Sequence, residues 1–277
     1  ISGRGAGTAC GPGGEPFGVV NTDDPNAGYF SRATGRRIVG YGFTEEADYR
    51  ATDLTLSPTG SSFTLVTPGG SARCSIGVPG RFNVSNAVAA AAVVGTLTHC
   101  DLATVAEAIG SLRPVRGRMT VVTATPLSVV VDYAHTPGSF EHVLPFFRRQ
   151  TEGRLVVVFG SAGERDVAKR PIQGGIADRY ADVIVLADED PRKEDRVQIL
   201  RQIASGMKHR TEGLNLFLIP DRREAIRHAL GVARPGDTVL LLGKGHEASI
   251  IGPDGAAPWD EIQVAREEIT RRGPGSA

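Results

Sequence analysis

Lysine is scarce in this chain: in 277 residues it occurs only at 169, 193, 208 and 244. A GxxxxGKS/T loop, which cradles phosphate with backbone N–H groups, needs a lysine between a glycine and a hydroxyl residue. Only Lys244 follows a glycine; Gly245 comes next, and Thr238 stands where the motif's first glycine belongs. The 277 residues therefore carry no Walker A loop. They also lack a GxGxxG fingerprint after a strand, a GxSxG elbow and an HExxH helix, so no dinucleotide, serine-hydrolase or zinc-protease signature is present. Cysteine is equally sparse. Cys10, Cys74 and Cys100 are far apart with no CxxC pair, so neither a zinc site nor a disulfide framework is expected, and the chain reads as cytoplasmic. No apolar run approaches the ~20 residues of a membrane span, and no stretch has the pattern of a signal peptide. Charge of one sign is missing too: the formal net charge is +0. No global field draws in nucleic acid or an anionic membrane, and any anion must be held by local sites.

What is present is the composition of a soluble globular protein, 40% hydrophobic and 22% charged, long enough for one large domain or two ordinary ones. Residues 1–16 are rich in Gly and Pro without apolar period and read as a loop, a linker or the edge of a truncated chain. Residues 17–120 form a first region, in which 17–82 carry short alternating segments, RRIVGYGF, ATDLTLSP, SSFTLVTP and ARCSIGVP, which predict short antiparallel strands with turns at 58–62 and 67–71. Helices are expected from Asn83 through an Ala/Val-rich stretch and over 102–112. Residues 121–277 change character. Near-continuous apolar runs at 127–134, 154–160, 181–188, 214–220 and 237–245 suit strands buried on both faces. Helical patterns lie between them. The fold class expected is α/β: a C-terminal Rossmann-like, mostly parallel sheet with helices on both faces, preceded by short antiparallel strands and helices.

In an open parallel sheet, ligands bind beyond the carboxyl ends of the strands. Four polar clusters fall there: DYAHTP (132–137), GSAGERD (160–166), DEDPR (188–192) and GKGHE (243–247). Singly, each has a plainer reading. Asp132 and Thr136 would satisfy backbone groups, His135 would be merely exposed, DEDPR would be a solvated acidic turn, and the glycines would mark bends. Their shared placement on one rim favours a common cleft.

The series GRFNVSNAVAA (80–90), LRPVRGRM (112–119), VVVDYAHTP (129–137), VFGSAGERDVAKRP (158–171), DEDPR and GKGHE resembles the Mur ligases, as does NTDDPNAGYF (21–30). Within that family the likeness is to the branch that adds the third residue of the peptidoglycan stem peptide. It runs in order from about residue 18 to about residue 268, over the distal half of the family's central ATPase domain and the whole of its C-terminal domain. The P-loop belongs upstream, so the chain is expected to be N-terminally incomplete and inactive alone.

The resemblance implies ATP and Mg2+ as cofactors, and UDP-N-acetylmuramoyl-dipeptide and a free amino acid as substrates. The dipeptide carboxylate becomes an acyl phosphate, and the amine of the amino acid attacks it. Cations neutralise the transferring phosphoryl group. It further implies that Asn86 contacts adenine, Arg118 the phosphates and Asp132 the ribose, with His135 beside it; that His135 and Arg165 are catalytic; and that Arg165, Asp190, Arg192, Gly243 and Glu247 hold the amino acid. An arginine fork suits a carboxylate, and Glu247 suits an ammonium group. Two positions depart from the family. Members that add diaminopimelate read DNPR where this chain has Asp190 in place of Asn, and an ionised carboxylate cannot donate a hydrogen bond. Arg50 stands where members commonly carry a carbamylated lysine, and arginine cannot be deprotonated for that modification. A folylpolyglutamate- or cyanophycin-type ligase and a non-catalytic partner subunit stay open as alternatives. A monomer is expected, without nucleic acid and without a membrane span.

Overall fold

The computed structural model describes residues 15–57, 60–98 and 100–273. The segment 1–16 therefore lies almost wholly outside the described residues, as does part of the turn expected at 58–62. The chain divides into two compact units, one reaching to Arg113 and the other starting at Pro114; the sequence reading set this boundary near residue 120.

The first unit holds β1 (Phe17–Asn21), α1 (Ala27–Arg32), β2 (Arg37–Gly42), β3 (Tyr49–Ser57), β4 (Gly60–Thr67), β5 (Gly70–Ile76), α2 (Arg81–Thr98) and α3 (Leu102–Ser111). Its sheet runs in the order β1-β2-β3-β4-β5. The expectation of antiparallel strands holds only for β3-β4-β5; β1 pairs with β2, and β2 with β3, in parallel. Alternation in strands this short marks a strand without marking its direction. Val84, Ala87, Val88 and Ala91 of α2 close over Phe63, Leu65 and Ile76.

The second unit holds β6 (Thr120–Thr123), β7 (Ser128–Asp132), α4 (Pro137–Gln150), β8 (Leu155–Phe159), α5 (Lys169–Tyr180), β9 (Val183–Leu186), α6 (Arg196–Ala204), β10 (Leu216–Leu218), α7 (Arg222–Val232), β11 (Thr238–Leu242), the hairpin β12 (Ser249–Gly252) and β13 (Gly255–Pro258), and α8 (Glu261–Arg272). The six-stranded order is β10-β9-β8-β11-β7-β6. Every pair is parallel except β6–β7. The chain steps outward from β7 to β10, then returns to insert β11 between β8 and β7. All residues of β8, β9 and β11 are buried, which explains their unbroken apolar sequences. No helix among the described residues is long and apolar enough to cross a membrane.

One buried carboxylate ties the entry of β8 to that of β11. Asp237 accepts the backbone N–H of Arg154 at 2.7 Å and of Arg234 at 2.9 Å, and the Arg154 Nη2 at 2.8 Å. Burial works against its charge, but those N–H groups and the guanidinium outweigh it and hold the carboxyl below its usual range. Asp237→Ala is expected to cost roughly 1–3 kcal/mol by stranding these donors, read as a lower denaturation midpoint. A carboxyl lowered on folding stabilises the fold above its unfolded pKa near ~4 and loses that share as pH falls through the lower folded value. The gap between wild type and variant should therefore close in acid; an unchanged midpoint at neutral pH would contradict the role.

Candidate functional site

Because β7, β8, β9 and β11 run in parallel, their carboxyl ends open on one rim, and the four polar clusters begin there. Close backbone approach brings them together. Gly163 donates its N–H to the Asp190 carbonyl at 2.8 Å, and a Cβ there would collide with the Pro191 carbonyl. Gly243 sits at φ 104, and a Cβ on it would come 3.3 Å from the Glu189 carboxylate. Gly117 packs against the backbone of Gly245 and His246. Beneath the rim, Arg222 is fully buried: it donates to the Asp188 carbonyl at 2.9 Å and the Leu242 carbonyl at 2.7 Å, and pairs with Glu261 at 2.6 Å. Trp259 Nε1 donates to the other Glu261 oxygen at 2.6 Å.

The plainer reading of DYAHTP describes part of what is seen. Asp132 is buried and accepts the backbone N–H groups of Met119 and Ala134, each at 2.8 Å. Burial, only partly offset by these bonds and by Arg118, raises its pKa. Thr136 forms a capping box with Ser139 at the start of α4. His135 Nδ1 lies 2.9 Å from the Tyr133 carbonyl, which can only accept, so that nitrogen carries the proton and a neutral ring leaves Nε2 as acceptor. Arg118 is exposed, with its guanidinium 4.3 Å from the Tyr133 ring centroid.

Of the residues expected to hold an amino acid, Arg165 is exposed on its loop. Arg192 is half-buried at φ 55; its backbone N–H donates to Ile251, and its buried Nε has no partner. Asp190 is 8% exposed, and its Oδ1 is taken by Lys244 Nζ at 2.9 Å and the Ile251 N–H at 2.8 Å. Lys244 also reaches Glu247 at 2.7 Å, and the other Glu247 oxygen accepts from the Tyr133 hydroxyl at 3.2 Å. The carboxylate that replaces Asn is thus ion-paired inside the protein.

Two residues at this rim escaped the sequence reading. Glu189 is 6% exposed with an unpartnered Oε2; burial raises its pKa against the fields of Lys169, His135, Arg222 and Lys244. Lys244 was weighed only as a Walker lysine. A lysine set between two glycines at the end of the buried run VLLL was the signal available for it.

In the first unit, Asn86 projects from the second turn of α2 and is exposed, so it is neither a helix cap nor a core polar residue. Arg50 lies on β3 with its guanidinium 3.9 Å from Glu45. Taken unit by unit, Arg118 is a cation open to solvent on the second and Asn86 an amide open to solvent on the first. Among the described residues no group of three or more His, Cys, Asp or Glu is arranged to hold a metal ion; magnesium bound between phosphates and one or two carboxylates requires no such group.

Comparison with known proteins agrees with the motifs. The family model for the Mur ligase middle domain matches residues 9–94, and that for the Mur ligase glutamate ligase domain matches 117–245. A UDP-N-acetylmuramyl-tripeptide synthetase of Roseiflexus is 45% identical over 93% of this chain and 51% of its own length. A UDP-N-acetylmuramoyl-L-alanyl-D-glutamate–2,6-diaminopimelate ligase of Geobacillus kaustophilus is 42% identical over 93% of this chain and 52% of its own. A solved structure of a ligase of that second name superposes with a TM-score of 0.59 at 32% identity, over 94% of this chain and 54% of that one. The chain thus spans about half the length of the curated relatives it matches. Two family models in the right order, the second of them over the rim, establish that this chain belongs to the Mur ligase family.

Proposed function

We propose that the protein is a cytoplasmic, ATP-dependent ligase of peptidoglycan precursor synthesis. It adds meso-diaminopimelate to UDP-N-acetylmuramoyl-L-alanyl-D-glutamate through an acyl phosphate. The names of the relatives support the reaction class. The observation that carries the choice of amino acid is the Lys244–Asp190 pair. Paired with Lys244, Asp190 opposes a nearby carboxylate less than a free acid would, and Arg192 keeps a buried, unpartnered Nε. A guanidinium with free donors suits the distal carboxylate of diaminopimelate, which lysine and ornithine lack.

The remaining roles follow the chemistry of each group. Arg118 offers a cation to phosphate oxygens. Asp132 has lone pairs left for ribose hydroxyls after accepting its two backbone N–H groups. On the first unit, Asn86 presents a free amide for an adenine edge. His135, with Nδ1 committed to a carbonyl, offers Nε2 to the reacting centre, and Arg165 offers a second guanidinium there. Glu247, shared between Lys244 and Tyr133, is the acceptor for an ammonium group, and Gly243 leaves room beside Glu189. ATP supplies the phosphoryl group that activates the dipeptide carboxylate, and Mg2+ offsets its charge.

Three outcomes test this reading. Arg192→Ala in the complete gene product should remove charged hydrogen bonds of about 1.5–3 kcal/mol. That lowers kcat/KM for diaminopimelate roughly 10- to 150-fold in a phosphate-release assay and leaves the low activity with lysine or ornithine in place; unchanged selectivity would refute the assignment. Lys244→Met strands a buried carboxylate and should cost about 3–5 kcal/mol, partly restored when Asp190→Asn is added. Equal stability of the single variant and wild type would contradict the pair. The 277 residues alone, lacking a phosphate cradle, are expected to hydrolyse ATP weakly or not at all; robust turnover would show that they hold a complete ATPase site.

A further inference from the structure

The loops that carry Arg165 and Arg192 are joined by a single buried guanidinium. Arg170, in the first turn of α5, has no exposed surface. Its Nη1 donates to Glu194 at 2.8 Å and to Gln202 of α6 at 2.5 Å. Its Nη2 donates to the Ala162 carbonyl in GSAGERD at 2.9 Å and to the second Glu194 oxygen at 3.2 Å. Glu194 in turn accepts the backbone N–H of Glu164, and its own N–H closes a turn onto the Pro191 carbonyl at 3.1 Å. Arg170 and the Glu164 N–H hold the Glu194 carboxyl below its usual range.

Both loops also contain a non-glycine residue in the left-handed region. These are Glu164 at φ 56, directly before Arg165, and Arg192 itself at φ 55. Each such conformation is strained for a residue with a Cβ and persists only where its surroundings over-determine it. Here the Glu194 carboxylate fixes the Glu164 N–H, the Gly163 N–H is held by the Asp190 carbonyl, and the Glu194 N–H closes on the Pro191 carbonyl. Glu194 thus anchors the Glu164 backbone through its side chain and the turn around Arg192 through its main chain, and Arg170 ties that residue to the Ala162 carbonyl.

We propose that Arg170 and Glu194 are positioning residues: their ion pair fixes the spacing and direction of Arg165 relative to Arg192, and so sets which amino acid the site accepts. The inference rests on the reading of Arg165 and Arg192 as amino-acid-binding. Neither Arg170, which is buried, nor Glu194, whose oxygens are engaged by Arg170 and Glu164, needs to touch the substrate.

The test compares Glu194→Gln, Glu194→Ala, Arg170→Lys and Arg192→Ala in the complete gene product. KM and kcat are measured for diaminopimelate, lysine and ornithine, and KM for ATP. Thermal denaturation identifies any variant that fails to fold. Glu194 is partly exposed and sits on a loop, so its two variants carry the test even if Arg170→Lys does not fold. Misdirected guanidiniums should raise KM for diaminopimelate ~10- to ~100-fold and collapse the preference over lysine, with KM for ATP unchanged. Glu194→Gln, which keeps an acceptor for Glu164, should fall between wild type and Glu194→Ala. A uniform loss across all three amino acids and ATP would mark a merely structural pair and overturn the proposal. So would unchanged selectivity in folded Glu194 variants when Arg192→Ala does lose it. Unchanged selectivity in Arg192→Ala would instead refute the amino-acid reading on which the proposal stands.

Discussion

The rim of the second unit depends on one buried charge pair. Arg222, the first residue of α7, donates to the carbonyls of Asp188 and Leu242, at the ends of the two strands that flank β8. Glu261, at the start of α8, balances its charge without exposure to water. A lone buried guanidinium would be strongly unfavourable; paired and with its donors satisfied, it becomes a rigid strut. It takes the place of hydrogen bonds that a strand running on would have made, at the points where β9 and β11 give way to loops. DEDPR and GKGHE both start from carbonyls fixed in this way, and the contacts among Gly163, Asp190, Gly243 and Lys244 presuppose it.

The same rule, that buried charge is tolerated only when paired, decides the meaning of Asp190. Read as a surface residue, an acid in place of Asn would repel a substrate carboxylate. In the fold its charge is shared with Lys244 and the Ile251 N–H. Glu189, next to it, has no such partner on one oxygen. Two neighbouring acids in one motif thus have opposite electrostatic situations, set by which face of the loop each side chain takes.

The central strands of the second unit were legible because burial on both faces leaves a near-continuous apolar run, although each strand is shorter than its run. α8 was not, since two of its buried positions are Glu261 and Glu268, paired with arginines of α7, and these break the apolar stripe. The hairpin β12–β13 was missed because all four residues of GAAP are exposed. In the first unit, strand direction depends on partners distant in sequence, which alternation does not encode. For the site, motif order singled out Arg165, Asp190, Arg192 and Glu247 only as candidates, and the contact of Lys244 with Asp190 was hidden. Spacing gives no hint of this, as 54 residues separate them. Arg170 was equally hidden, because an arginine in a helical segment reads as solvated surface until the helix is packed.

The proposed amino-acid site is built from guanidiniums on loops held by internal ion pairs, with Asp190 belonging to the interior. A crystal structure of the complete protein with diaminopimelate bound tests this. The distal carboxylate of the ligand is expected on the Arg192 guanidinium, with Lys244 still on Asp190 and Arg170 still on Glu194. A ligand carboxylate bound away from Arg192, or Asp190 turned from Lys244 onto the substrate, would contradict it.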